Sequence, residues 1–276
     1  MQSKPAQWTI LGLAAITAAI LYAGQPNDPV IEAARRAADA FAQSLPDYVV
    51  KRTTTRYLGT RRVASGGTSF FGSPETVRSW QKSDTVSGDV TAAHGTETYA
   101  NIQVNGKLAK QLPGDGVWSS GEFSIILAGI LSPKSAAQFT NQRPDPIGNR
   151  PSWHYDFAVD QTHSGWQLEA SHVFGASFVQ RWSPAYGGSI WIDAETGQVL
   201  RFAISAREVP AAFPMDAVET SVDYDFVPIG DEKYVLPTHS ETVTCARYQC
   251  YKNVTVFQDY HKFGADTSIA YDSGQK

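Results

Sequence analysis

The 276-residue chain carries only two cysteines and two methionines, and only 18% of its residues are charged. It also lacks the short strings that announce common chemistry: no G-x-S-x-G elbow, no H-E-x-x-H pair, no P-loop and no EF-hand loop. The nearest calcium-like string, residues 193–197, is too short and falls in a hairpin turn. These absences weigh against an enzyme without removing one, because catalytic groups can converge from distant segments. No cofactor-binding pattern is present, and no cofactor is expected. A basic excess is missing too. Lys and Arg number 23 against 27 Asp and Glu, a formal charge of −4, and losing the first 25 residues removes Lys4 alone, so −4 becomes −5. A nucleic-acid partner is therefore disfavoured. There is no internal repeat and no linker that would cut the chain after residue 26 in two.

What is there begins with Lys4, an uncharged run over residues 8–23, and a polar, proline-containing exit over residues 25–29. That is the pattern of a secretory signal. The run is shorter than the roughly 20 apolar residues of a membrane span and contains Gly12 and Thr17, which favours removal by signal peptidase. Leu21 and Tyr22 are large for positions before a cleavage site, so an uncleaved N-terminal anchor in contact with the membrane is the alternative. No cysteine follows the run to carry a lipid. Residues 1–25 are thus read as signal peptide or anchor, and residues 26–276 as a single exported domain, periplasmic or extracellular. In such a chain Cys245 and Cys250 are expected to close a local disulfide; two free thiols are the alternative. A metal is a weaker reading, because no His or further Cys stands at finger-like spacing. So short a loop gains little from closure entropy, and the bridge should pin a hairpin tip rather than hold the domain together.

Asp28-Pro29 is a helix start, and apolar Val30, Ala34, Ala37, Phe41 and Leu45 recur at helical spacing behind it. Residues 48–57, β-branched and aromatic with interleaved charges, suit a strand with one wet face; residues 59–74 read as a loop. Strands are expected over 77–90 and 96–104, then a two-residue turn at Asn105-Gly106. A second helix is expected after Trp118. Ser119 and Glu122 have capping-box spacing there, and Phe123, Ile126, Leu127, Ile130 and Leu131 form one apolar stripe. Ser132-Pro133 predicts a further helical turn through Phe139, and the proline-rich residues 141–151 predict a connection. Everything afterwards alternates. Trp153, Tyr155, Phe157 and Val159 point one way, residues 166–174 repeat the pattern, and hairpins are expected over 189–206 and 234–263, with a strand over 218–226 between them. The fold class expected is α+β, mostly β: one large curved antiparallel sheet, a half-barrel or sandwich, with an N-terminal helix and a central helical lid.

Candidate chemistry is sparse. His154 and Asp156 share a strand face and can meet a substrate or metal, though such a pair is commonly solvated surface. His172 lies among apolar neighbours, where a hydrogen-bonded core histidine is the bland reading. Asp223 and Asp225 share a face, but glycosidase carboxylates must oppose each other across a sugar, which one strand does not establish. Asn253-Val254-Thr255 matches a glycosylation sequon, which would carry no argument in a bacterial context. The residues Trp118, Phe123, Ile126, Leu127, Ile130 and Leu131 offer a different site: a helix laid across the mouth of a curved sheet over a greasy cavity that accepts acyl chains. The alternative is an ordinary core helix.

The segments GSIWIDAETGQVLRF, YDFVPIGDEKYVLPTHSE and VTVFQDYHKFGADTSI resemble uncharacterised secreted proteins of Acidobacteria type. More distantly, the order of N-terminal helix, long meander and W-I-D hairpin resembles the LolA/RseB-like carriers of lipoproteins and lipids in the bacterial envelope. That resemblance implies a half-barrel closed by helices around a hydrophobic cavity, with a lipid or lipoprotein acyl chain as ligand. A strand arginine engages the lid in such carriers; Arg52 and Arg56 lie in the first strand, and neither aligns with it firmly. The expectation is a non-catalytic, hydrophobic-ligand-binding envelope protein. The alternatives are an envelope hydrolase built on His154, Asp156 and His172, or a partner-binding β domain.

Overall fold

A computed structural model describes residues 28–44, 46–61, 77–93, 96–113, 125–170 and 179–263. The elements are α1 (Pro29–Ser44), β1 (Tyr48–Arg61), β2 (Val77–Ala93), β3 (Thr96–Val104), β4 (Lys107–Leu108) and α2 (Ile125–Leu131). Then come β5 (Gln138–Pro144), β6 (Ser152–Val159), β7 (Leu168–Ala170), β8 (Gln180–Trp182) and β9 (Ala185–Asp193). The chain closes with β10 (Val199–Arg207), β11 (Ala217–Ile229), β12 (Glu232–Ala246) and β13 (Gln249–Lys262). Among the described residues eleven strands make one sheet in the order β4-β3-β2-β1-β13-β12-β11-β10-β9-β6-β5, with β7 and β8 paired apart from it. All its pairings are antiparallel. The protein is thus mostly β and the sheet is open, with β4 and β5 as edges. Two meanders are joined by a single long-range pairing, β1 with β13, which brings Thr54 opposite Thr255. Register shifts in β1, β2, β10 and β11 mark the bulges by which a wide sheet takes up twist.

Both helices lie on one face. Asp28 caps α1, its Oδ1 accepting from the amides of Val30 at 2.8 Å and Ile31 at 3.4 Å. Ile31 and Ala34 then pack with Ile130 and Leu131 of α2 against Tyr155, Ile190 and Phe202. The two helices are tied by polarity as well. Arg35 donates Nε–H to the carbonyl of Leu131 at 3.0 Å, satisfying one of the orphan acceptors at the end of α2. Gly197, at φ +73°, turns the β9/β10 hairpin directly under α1, where a Cβ would stand 3.1 Å from that of Ala33. A second apolar cluster, centred on Tyr48, Val50, Val90, Leu236 and Phe257, receives Phe41 from the other end of α1.

Several local expectations change. The segment expected as a helical turn through Phe139 is one 3-10 turn, Pro133–Ser135, stopped by Ala136 at φ +47°. It is followed by β5, which occupies the first part of the expected connection and pairs with β6. β5 is an edge strand in which only Phe139 is not exposed, so no alternation of apolar residues marks it. The strand expected over 166–174 is, within the described residues, the three-residue β7. Residues 62–74 of the expected loop, the capping box at Ser119 and Glu122, and Trp118, Phe123 and His172 lie outside the described residues, as do residues 1–27. Asn105 and Gly106, both at positive φ, form the expected hairpin turn. Among the described residues no helix is long and apolar enough to cross a membrane.

Cys245 and Cys250 are joined, facing each other across β12 and β13 with Cα atoms 4.1 Å apart. A disulfide fits an oxidising, exported environment. The tip it closes is clasped independently. Arg61 donates to the Arg247 carbonyl at 2.6 Å and forms an ion pair with Asp216, whose Oδ2 accepts from the Arg247 amide at 3.0 Å.

Candidate functional site

On the helix-covered face the four expected lid residues that are described belong to the core. Ile130 and Leu131 are buried, and Ile126 and Leu127 pack against the same cluster. Towards β12, β13 and β1 this face changes character. Thr220, Thr242, Thr54, Thr255, Ser240 and Asn253 are all buried. Their hydroxyls pair across strands, Thr54 with Thr255 at 2.9 Å and Thr220 with Thr242 at 3.1 Å, which makes the burial tolerable. Arg56 completes the band with a two-point ion pair to Asp84. Arg52 donates to the Tyr99 hydroxyl at 2.7 Å and stands 5.8 Å from the Phe257 ring centroid. Beside it a cleft of about 10 Å³ is lined by Arg52, Thr54, Val86, Tyr99, Ile102 and Leu112.

The opposite face carries one register row across six strands: Arg143, His154, Trp191, Arg201, Asp223 and His239. Residues opposite each other share a face, so these side chains stack in sequence. Arg143 Nη2 meets His154 Nε2 at 3.1 Å, and the imidazole meets Trp191 edge to face at 4.7 Å. Arg201 lies 5.7 Å from the Trp191 centroid and pairs with Asp223, which His239 Nδ1 approaches at 3.3 Å. Asp225, by contrast, is exposed and caps the Phe226 amide.

His154 and Asp156 do come together, at 3.6 Å. His154 is not solvated surface, however; only 2% of it is exposed. Burial, then the neighbouring Arg143 charge, hold its pKa below the ordinary value, and its Nε2 stands within hydrogen-bond distance of the Arg143 guanidinium. Burial pushes the Asp156 carboxyl up, but hydrogen bonds from Asn141 and Ser189, with His154 and Arg143 beside it, bring it below the usual range. The Ser189 hydroxyl donates to Asp156 at 2.9 Å, not to the histidine. Covalent hydrolysis of the serine–histidine kind needs the hydroxyl hydrogen-bonded to the imidazole; here it is held instead by a carboxylate whose own hydrogen bonds lower its basicity. His163, His239 and His261 lie apart from them, and His94 is outside the described residues.

Sequence reasoning missed a groove on this same face. It holds about 330 Å³ and is lined by Ser189, Ala203, Ser205, Glu219, Ser221 and Glu241, among others. Its signal was present as short side chains at alternate positions of β9, β10 and β11, but only strand register places them together. Among the described residues no three metal-ligating side chains gather. No known family model, curated protein or solved structure matches this chain.

Proposed function

We propose that this protein is an exported, non-catalytic carrier of LolA/RseB-like kind that takes up an acyl chain on the helix-covered face of its sheet. The observation that carries this reading is the arrangement of cover and cleft. α1 and α2 lie over one face of an open sheet, and the adjoining part of that face has an apolar-walled cleft beside the Arg52 guanidinium. The element order, helix then four strands then helix then a returning meander, fits the half-barrel that the resemblance implies. The disulfide fits an envelope compartment.

At about 10 Å³ the cleft has room for one water at most. Uptake therefore parts Val86, Ile102 and Leu112, and each buried methylene of the ligand returns about 0.8 kcal/mol. The test is lipid extraction and native mass spectrometry of protein purified from an exporting host, with titration of a fluorescent fatty acid. Co-purified lipid, and probe binding that Ile102→Trp weakens, are the expected results. A lipid-free protein that ignores the probe overturns the proposal.

A further inference from the structure

The groove on the face away from the helices has a chemistry of its own. In the register Ser189, Ala203, Ser221 and Glu241 form one row, and Gly187, Ser205, Glu219 and Val243 the next. Glu219 therefore stands diagonal to Glu241 across β11 and β12, and both line the groove. Neighbouring carboxylates on this face are answered: Asp156 by Asn141 and Ser189, Asp223 by Arg201 and His239, Asp145 by the Trp191 indole. Among the described residues Glu219 and Glu241 have neither a cationic partner nor a hydrogen-bond donor. Arg207 lies alongside Gly187, and it pairs with neither glutamate. The floor adds acceptors. Ser189 spends its proton on Asp156 and Ser205 donates to the Gly187 carbonyl at 3.5 Å, which leaves hydroxyl oxygens with open lone pairs.

We propose that this groove binds a small organic cation bearing a primary ammonium group, held between Glu219 and Glu241 over the serine oxygens. An ammonium brings three donors and no acceptor, the complement of this lining. An anion meets two carboxylates, and a bare metal ion finds too few ligands. A neutral polyol leaves the repulsion between the two glutamates unrelieved. The volume lies within the small-molecule range. The site is on the opposite face from the acyl cleft and does not depend on it.

The experiment is calorimetric titration of the full, oxidised protein with cadaverine at low salt, with 1,5-pentanediol as the uncharged control. The expected result is saturable one-site binding of cadaverine and none of the diol. Glu219→Gln with Glu241→Gln weakens it by about tenfold or more, and Ser221→Leu, which fills the groove, does the same. Asp225→Asn with Glu232→Gln makes the same charge change elsewhere and leaves binding intact. Absence of saturable binding, equal loss in the Asp225/Glu232 variant, or undiminished binding in the Glu219/Glu241 variant overturns the proposal. Should the double glutamate variant fail to fold by circular dichroism, the Ser221→Leu result decides. Fatty-acid probe binding in the folded variants stays at the parent level, so failure here and failure of the carrier reading are told apart.

Discussion

The Tyr155 phenol donates to Oδ2 of Asp28 at 2.9 Å while Oδ1 of the same carboxylate caps α1. One side chain thus starts the first helix and fastens it to β6, 127 residues downstream. Its loss removes two interactions together. Asp28→Ala is expected to cost about 1–2 kcal/mol as a lost cap, and Tyr155→Phe about 0.5–1.5 kcal/mol as a lost hydrogen bond. Urea melts of the two single variants and the double should show the double costing less than the sum. Strict additivity would separate the two roles.

The disulfide should be locally important and globally dispensable. Cys245→Ser with Cys250→Ser is expected to cost about 1–2 kcal/mol, because the closed loop is short, and to raise amide exchange only at the hairpin tip. The Arg61 and Asp216 clasp remains to hold the Arg247 turn. Intact protein should weigh two hydrogens less than its reduced form. Free thiols in exported protein, or a double variant that does not fold, would contradict this account of the hairpin.

Asp193 closes the β9/β10 turn, with Oδ1 accepting from the amides of Glu195 and Thr196 and from the Thr196 hydroxyl. Burial pushes its carboxyl up, but these bonds and Arg150 outweigh burial and hold it below the ordinary range. A depressed carboxyl contributes stability that is full above the unfolded pKa and fades as pH falls through the folded one. Asp193→Ala should therefore cost about 1–3 kcal/mol near neutrality, with the difference from the parent shrinking below about pH 4. Chemical denaturation at both pH values measures it, and a constant difference would refute the linkage.

Glu219 has the opposite sign. Burial first, and then Glu241, push its carboxyl above the ordinary range. The folded state holds that proton more tightly, so the favourable contribution is present at low pH and disappears as pH rises through the folded pKa. Glu219→Gln should stabilise the protein near neutrality by a few tenths of a kcal/mol and give no gain near about pH 3. Thermal melts at the two pH values check this. Destabilisation near neutrality would mean that the glutamate has a partner after all.

Much of the architecture was decided along the chain. Asp28-Pro29, the Asn105-Gly106 turn, the Gly197 bend, the alternation in β6, β10 and β11, and the cysteine pair across a reversal are all short-range signals, and steric and capping preferences act within a few residues. Where such signals are weak, the reading stopped short. β5 has polar residues on both sides because it is an edge, so nothing periodic announced it. Nor did the sequence say which face of β6 was wet. His154 alternates with the core residues, yet it is buried because Arg143 and Trp191, on strands β5 and β9, close over it. Tertiary structure alone decided the β1/β13 pairing, the buried hydroxyl band it creates, and the meeting of Glu219 and Glu241 above a floor of serines. The physical reason is common to all three. A strand's own sequence determines which of its side chains share a face, but the neighbours of those side chains are supplied by register with strands far away in the chain.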